Sequence, residues 1–176
     1  DWVVLTELTD NSAQALGIVT GLQFLPILLF TPVAGAISDN FSKRRVMLVS
    51  QSAMAFFAVV MGVAVLTGQM ELWHMFVLSF LSGTAAAVDA PARQSFVSEM
   101  VPKAQLTNAV GLNSASFHSG RLLGPGVAGL LIAAFGTGPT LLLNALTFVA
   151  VLVALLAMDT SQLASKPRTG PRGRVS

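Results

Sequence analysis

The sequence predicts an all-α protein, a polytopic bundle of transmembrane helices. Two observations lead to this prediction. Apolar residues make up 53% of the 176-residue chain and charged residues only 10%, against about 45–50% and about 25% in soluble domains. The apolar residues also gather in stretches of roughly 20, the length a helix needs to cross the bilayer core. With so little charge to cover a surface in water, these segments are expected to be surrounded by lipid.

Five such stretches follow one another along the chain. Helices are predicted at about 13–37, 46–67, 72–97, 106–135 and 139–158. The apolar residues at 1–8 predict the end of a further helix, whereas the basic, Ser-, Pro- and Gly-rich stretch at 161–176 predicts a disordered linker or tail. The chain starts with Asp1 and shows no basic leader, so we expect it to be a piece of a longer polypeptide.

Turn-forming residues separate these predicted helices. Polar or glycine-containing clusters lie at 9–12, 67–69 and 136–139, and Pro139 suits the first turn of the helix that follows. Small residues lie four apart at three places, a spacing that lets helix backbones approach closely in lipid: Gly17 and Gly21, Ser82 and Ala86, and Gly83 and Ala87. The helices are therefore predicted to pack together as a bundle.

The basic residues lie in alternate connections between the predicted helices. Three groups contain every Lys and Arg except Arg121: Lys43, Arg44 and Arg45; Arg93 and Lys103; and Lys166, Arg168, Arg172 and Arg174. The opposite connections carry acidic residues and no base. Cytoplasmic loops of membrane proteins are rich in Lys and Arg. We therefore predict an integral, multi-pass protein of a bacterial-type inner (plasma) membrane with its basic connections in the cytoplasm.

The connection after the first complete span reads GAISDNFSKRR and starts at Gly35. Gly35 permits close helix contact, and Asp39 can meet a helix N-terminus or a neighbouring arginine. This pattern resembles the cytoplasmic signature loop of the major facilitator superfamily, although Ser42 stands where the family usually has a second glycine. An ordinary positive-inside loop is the alternative. The bases that would anchor this loop at anionic lipid headgroups are Lys43, Arg44 and Arg45.

A glycine-rich stretch, GRLLGPGVAG, occupies the middle of the fourth predicted span. Pro125 removes a backbone donor, and the glycines expose backbone for close contact with another helix. The stretch is similar to the fifth-helix motif of the family's exporters and antiporters, with Ala128 in place of the usual first glycine of a closing pair. A packing face without a transport role is the alternative. The motif positions are Gly120, Gly124, Pro125 and Gly129.

A third stretch, DAPARQ at 89–94, joins the LNS sequence at 112–114 and Arg121 in resembling the drug and siderophore exporter branch, which includes enterobactin-exporter-like proteins. The resemblance covers the chain up to about residue 158. It implies the N-terminal six-helix half of a major facilitator fold with its first helix truncated. On this basis 1–160 is expected to form the transmembrane bundle and 161–176 the cytoplasmic linker to an absent C-terminal half.

Ionisable side chains within the spans are the main candidate functional residues, because each costs about 2.5–3.5 kcal/mol at bilayer depth. Arg121 lies midway along its predicted helix, with His118 and Asn113 on the same broad face. We expect these residues and Gln23 to line a substrate or coupling cavity. The alternatives are an arginine bonded to backbone carbonyls and a neighbouring acid, and a packed rather than proton-carrying histidine.

Asp89 and Arg93 are candidates for a cytoplasmic gate. They are four residues apart near the predicted cytoplasmic end of their helix, so their side chains can pair. We expect them to act together with the signature loop that contains Gly35 and Asp39.

The resemblance implies a secondary active transporter, a proton-coupled exporter of a small amphipathic drug or siderophore that works by alternating access. Its expected partners are the lipid bilayer, the C-terminal half, the substrate and protons. A non-transporting scaffold or assembly protein is the alternative. We predict no enzyme, cofactor, metal site or nucleic-acid partner: the chain has no Cys, and His74 and His118 lack metal-ligand spacing.

Overall fold

In the computed structural model, the regular structure of the described residues, Leu8 and 12–158, is entirely helical. The elements are α1 (Ala13–Asn40), α2 (Lys43–Leu66), α3 (Leu72–Met100), a 3₁₀ turn (Lys103–Gln105), α4 (Leu106–Phe135) and α5 (Thr137–Ala157). The all-α prediction is confirmed for this part of the chain. The six-helix half stays a prediction, because five long helices are seen, and almost all of 1–8 and all of 161–176 lie outside the described residues.

Four of the five helices, α1, α2, α3 and α5, are long and apolar enough to cross a membrane. The sequence predicts a fifth span at 106–135. The structure forms this helix as α4, but α4 is not among the four candidate spans. His118, Arg121 and many small residues lower the mean hydropathy of this helix.

The predicted loop between the first two spans is much shorter than expected. Only Phe41 and Ser42 separate α1 from α2, so placing the bases at 43–45 in a loop is wrong: they form the first turn of α2. Ser42 is extended at the N-cap (φ −65°, ψ 126°), and Lys and Arg favour helix. At the other side, α1 continues to Asn40, whose Nδ2 donates to the Ala36 carbonyl at 2.9 Å.

A single glycine connects α4 to α5. Gly136 has a φ of +83°, which residues with a side chain rarely adopt, and its N–H donates to the Ile132 carbonyl at 2.8 Å. The next helix begins at once with Thr137, two residues before the predicted start at 139. Pro139 fits there because the first turn of a helix does not use its N–H groups.

The helices pack unevenly. Helix α1 lies mainly on α3, α2 lies between α3 and α5, and α4 sits at the periphery with no buried residue. One apolar cluster, Ala15, Val19, Met70, Met75 and Leu78, joins α1 to the start of α3. A second, Val46, Met47, Ala92, Phe96 and Leu155, joins the start of α2 to the ends of α3 and α5. We call this second end of the bundle, where Arg44, Arg45 and Arg93 lie, the basic end.

Glycines bring two helix pairs into close contact. A Cβ added at Gly83 of α3 would lie 2.1 Å from the backbone oxygen of Gln23 in α1. A Cβ at Gly62 of α2 would lie 2.8 Å from Leu142 Cδ2, and one at Gly138 of α5 would lie 2.6 Å from Leu66 Cγ. The backbone of α3 therefore meets that of α1 directly, whereas between α2 and α5 a leucine side chain of one helix packs onto a glycine of the other.

Candidate functional site

A buried carboxylate lies about two turns inside the basic end. Asp89 of α3 has a side chain that is only 5% exposed. Its Oδ1 accepts a hydrogen bond from Ser50 Oγ at 2.7 Å and another from Gln51 Nε2 at 3.1 Å. Both donors belong to α2, and Gln51 is the largest fully buried side chain of the described residues, at 1% exposure. These bonds tie α2 to α3 through one carboxylate oxygen.

The second oxygen of Asp89 binds Arg93. Arg93 Nε donates to Oδ2 at 3.1 Å and Nη2 donates to the same atom at 2.5 Å, in an ion pair four residues apart along α3. Helix α3 continues through Pro91 between them. The Arg93 side chain is 45% exposed, so the pair joins a buried anion to a half-exposed cation. We call Asp89, Ser50, Gln51 and Arg93 the Asp89 cluster.

The sequence predicts that the signature bases anchor at lipid headgroups, but in the structure at least one of them binds within the protein. Arg44 Nε donates to the Leu155 carbonyl at 2.7 Å and Nη2 to the Leu156 carbonyl at 2.9 Å, which places its charge at the C-terminus of α5. Lys43 is buried, whereas Arg45 is exposed. A Cβ added at Gly35 would meet no atom within 4 Å. The side chain of Asp39 lies outside the described residues, so its predicted contact stays a prediction.

Arg44 is expected to stabilise the basic end. The last carbonyls of a helix lack hydrogen-bond partners within it and carry the negative end of the helix dipole, so a nearby cation stabilises them. Arg44→Ala should therefore lower the free energy of unfolding by about 1–2 kcal/mol. Chemical unfolding of the purified protein in detergent measures this change. Arg45→Ala removes the exposed neighbouring charge and is the control, expected to be nearly silent. Equal losses from the two variants would contradict the assigned contact.

The polar face predicted on α4 is formed but faces outward. Arg121 and His118 are exposed and Asn113 is half-buried. The His118 ring makes an edge contact with Phe117 at 5.7 Å between ring centroids. Since no other described helix covers this face, the expected contact of these residues with a substrate or a coupling carboxylate stays a prediction.

Gln23 lies apart from the three α4 residues. It lines a cavity of about 230 Å³ between α1, α2, α3 and α5, together with Ser79, Ser82 and Asn144 among polar groups. None of Arg121, His118 and Asn113 lines this cavity. The sequence-predicted grouping of all four residues around one cavity is therefore not seen in the described part of the chain.

The glycines of the predicted exporter motif have open space around them. A Cβ added at Gly120, Gly124 or Gly129 would meet no atom within 4 Å, so the expected close packing is not formed by the described helices. Helix α4 is continuous through Pro125. Its exposed leucines include Leu122, at 81% exposure. A polar and glycine-rich stripe and an apolar surface therefore both lie uncovered on this helix.

Sequence reasoning missed the two α2 donors of the Asp89 cluster. Ser50 and Gln51, followed by Ser52, form a short polar run in an otherwise apolar span, and that run is the signal that could have found them. Elsewhere, the described residues contain no group of three or more His, Cys, Asp and Glu able to hold a metal ion.

Long apolar helices that bury an ionic cluster near one end define an integral membrane protein of the multi-span class. The family described as transmembrane secretion effector matches residues 1–170. The chain belongs to this family of major facilitator transporters. Its relatives are transporters and not enzymes.

Three relatives show the range of named functions. The chain is similar to the staphyloferrin A transporter of Staphylococcus aureus, with 33% identity over 88% of this chain and 39% of the relative. It is 31% identical to the multidrug efflux pump Tap of Mycolicibacterium fortuitum, over 88% and 38%. It is 27% identical to the multidrug resistance protein MdtG of Proteus mirabilis, over 85% and 37%. The chain thus spans about two fifths of these curated relatives, and no solved structure matches it significantly.

Proposed function

We propose that this chain is part of a secondary active transporter that exports a small amphipathic compound, a drug or a siderophore, in exchange for protons. Membership of the transporter family supports this proposal, as do the siderophore and multidrug functions in the names of its relatives. Because the chain spans about two fifths of those relatives, a C-terminal half would complete the permeation path. Alternating access then requires the two halves to rock around a site near the bilayer midplane.

One observation favours transport over a purely structural role: an exposed arginine in the middle of α4. Arg121 lies between the ends of a 30-residue helix and next to the exposed Leu122. A charged side chain at this depth is costly in lipid and usually faces a water-filled path or an acidic partner. We propose that the face with Arg121, His118 and Asn113 looks into the substrate path, where it meets substrate or a coupling carboxylate.

The basic end supplies the second part of the proposal. The rule that places Lys and Arg in the cytoplasm supports a cytoplasmic position for this end. There the Asp89–Arg93 pair would belong to the gate that opens and closes the path on that side. The outward direction of transport is supported by the name of one relative, the multidrug efflux pump Tap, and stays part of the proposal.

Substitution of Arg121 in the complete transporter tests this function. We expect Arg121→Gln to lower substrate transport about tenfold or more, because the charge that faces the path is lost, and Arg121→Lys to retain part of it. The measurement is proton-driven movement of a fluorescent drug or a labelled siderophore in membrane vesicles. Ser119→Ala, exposed two residues away, is the control for expression and insertion.

Two results would contradict the proposal. Wild-type transport by Arg121→Gln would remove Arg121 from the substrate path. A correctly inserted wild-type protein that moves none of these compounds, with or without a proton gradient, would instead favour a scaffold or assembly role.

A further inference from the structure

We propose that Ser50 and Gln51 are positioning residues that hold the Asp89 carboxylate in place, so that Arg93 is the partner that leaves when the gate changes state. This inference rests on the proposed transport function and adds two residues to its gate. It also assigns different parts to the two members of the ion pair: Asp89 is fixed and Arg93 is exchangeable.

The division of hydrogen bonds within the carboxylate supports this assignment. Among the described residues, Oδ1 of Asp89 accepts only from the α2 donors, Ser50 and Gln51, while Oδ2 accepts both bonds from Arg93. The Ser50 hydroxyl has a second acceptor, the Met47 carbonyl, but that distance is longer, 3.1 Å against 2.7 Å. Loss of Arg93 therefore leaves the Oδ1 bonds intact, with the carboxylate still oriented by two donors.

Burial separates the two partners in the same way. The Asp89 side chain is 5% exposed and Gln51 is 1% exposed, whereas the Arg93 side chain is 45% exposed. Moving a buried hydrogen-bonded group would leave unsatisfied donors in α2, which is costly. A half-exposed guanidinium that leaves its partner regains contacts with water, and such ion pairs contribute little to stability. Arg93 is thus the member that moves at lower cost.

Packing around the cluster holds α2 against α3 at this level. Val46 and Met47 of α2 pack with Ala92 and Phe96 of α3 in the apolar cluster of the basic end. Ala92 lies one turn from Asp89 on α3, so the apolar contacts support the helix segment that carries the carboxylate. A rearrangement of the gate that releases Arg93 requires no separation of these two helices.

The test is a double-mutant cycle read by cysteine labelling in the complete transporter. This chain has no cysteine, so Asn108→Cys gives a single thiol within it, exposed near the start of α4. A membrane-impermeant maleimide added to inside-out membrane vesicles, in which the proposed cytoplasmic side faces the reagent, reports how open the basic end is without any need for transport. Gln51→Leu and the milder Ser50→Ala are compared in the presence of Arg93 and in the Arg93→Gln background.

We expect Gln51→Leu to change the labelling rate about threefold when Arg93 is present and to add nothing in the Arg93→Gln background. Ser50→Thr keeps the hydroxyl and is expected to keep the labelling rate of the parent. Ser52→Ala, an exposed serine two residues further along α2, is the matched control and should change nothing. Thermal unfolding of each variant separates lost stability from altered gating.

Additive effects of Gln51→Leu and Arg93→Gln on labelling would overturn the proposal, because a purely structural role acts whether or not Arg93 is present. Unchanged labelling in both Gln51→Leu and Ser50→Ala would overturn it as well. If the coupling is present but the protein moves no compound, the positioning role stands and the proposed transport function fails.

Discussion

Gly83→Ala is expected to lower the free energy of unfolding by about 2–3 kcal/mol, since overpacking a tight contact forces the backbone to shift. The added Cβ would lie 2.1 Å from the Gln23 backbone oxygen and 2.9 Å from its carbonyl carbon. These are backbone atoms of α1 and cannot rotate away as the end of a flexible side chain could. Because α1 packs mainly on α3, the substitution pushes α1 off its principal support. Chemical unfolding in detergent measures the loss.

Gly17→Ala is the matched control, since it makes the same change in α1 where no atom lies within 4 Å of the new Cβ. Alanine favours helix over glycine by about 1 kcal/mol, so this variant should be neutral or more stable. Opposite signs for the two variants are the expected result. A Gly83→Ala protein as stable as the parent would show that α1 and α3 do not approach as closely as described.

Asp89→Ala is expected to destabilise the basic end by about 3 kcal/mol, because it removes one partner of a largely buried ion pair. It leaves the buried donors Ser50 and Gln51 without their shared acceptor and Arg93 without its anion. The half-exposed Arg93 can return to water, which keeps the loss at the lower end of the range for such pairs. Unfolding of the purified variant in detergent measures it.

Asp89→Asn separates the contribution of the hydrogen bonds from α2 from that of the ion pair with Arg93. The amide oxygen can still accept from Ser50 and Gln51, while the charge that attracts Arg93 is gone. We expect it to lose about half as much stability as the alanine variant. Equal stability of the two variants would mean that the hydrogen bonds from α2 contribute nothing measurable.

The helices of this chain could be predicted closely, but their contacts could not. A stretch of about 20 apolar residues has few alternatives to a helix in lipid, so the ends of α2 and α5 fall within three residues of their predicted positions. Small residues are poor guides to helix contacts, because Gly17 and Gly120 have open space while Gly83 meets a backbone. Which glycine faces a neighbour depends on helix rotation, and apolar residues on all sides leave that rotation undetermined.

In the candidate site, too, some contacts could be predicted from the sequence and others could not. The pair of Asp89 and Arg93 could be predicted, since residues four apart on one helix are neighbours whatever the fold. Ser50 and Gln51 reach the carboxylate from another helix, and the sequence alone does not define which residues of two helices lie opposite one another. The contacts of Arg44 are harder still to predict. Its acceptors are backbone carbonyls 111 and 112 residues away, and a backbone carbonyl leaves no signal in the type of residue.

Helices α2 and α5 are held together at both extremities. Gly62 and Gly138 bring them into contact at one extremity. At the other, the Arg44 guanidinium donates hydrogen bonds to carbonyls in the last turn of α5. Two attachments so far apart prevent α2 from sliding along α5 or rotating against it. The two helices should therefore tilt together as one rigid unit. A fluorophore at the exposed Ala157 would then follow the tilt of α2 during turnover, although it is bound to a different helix.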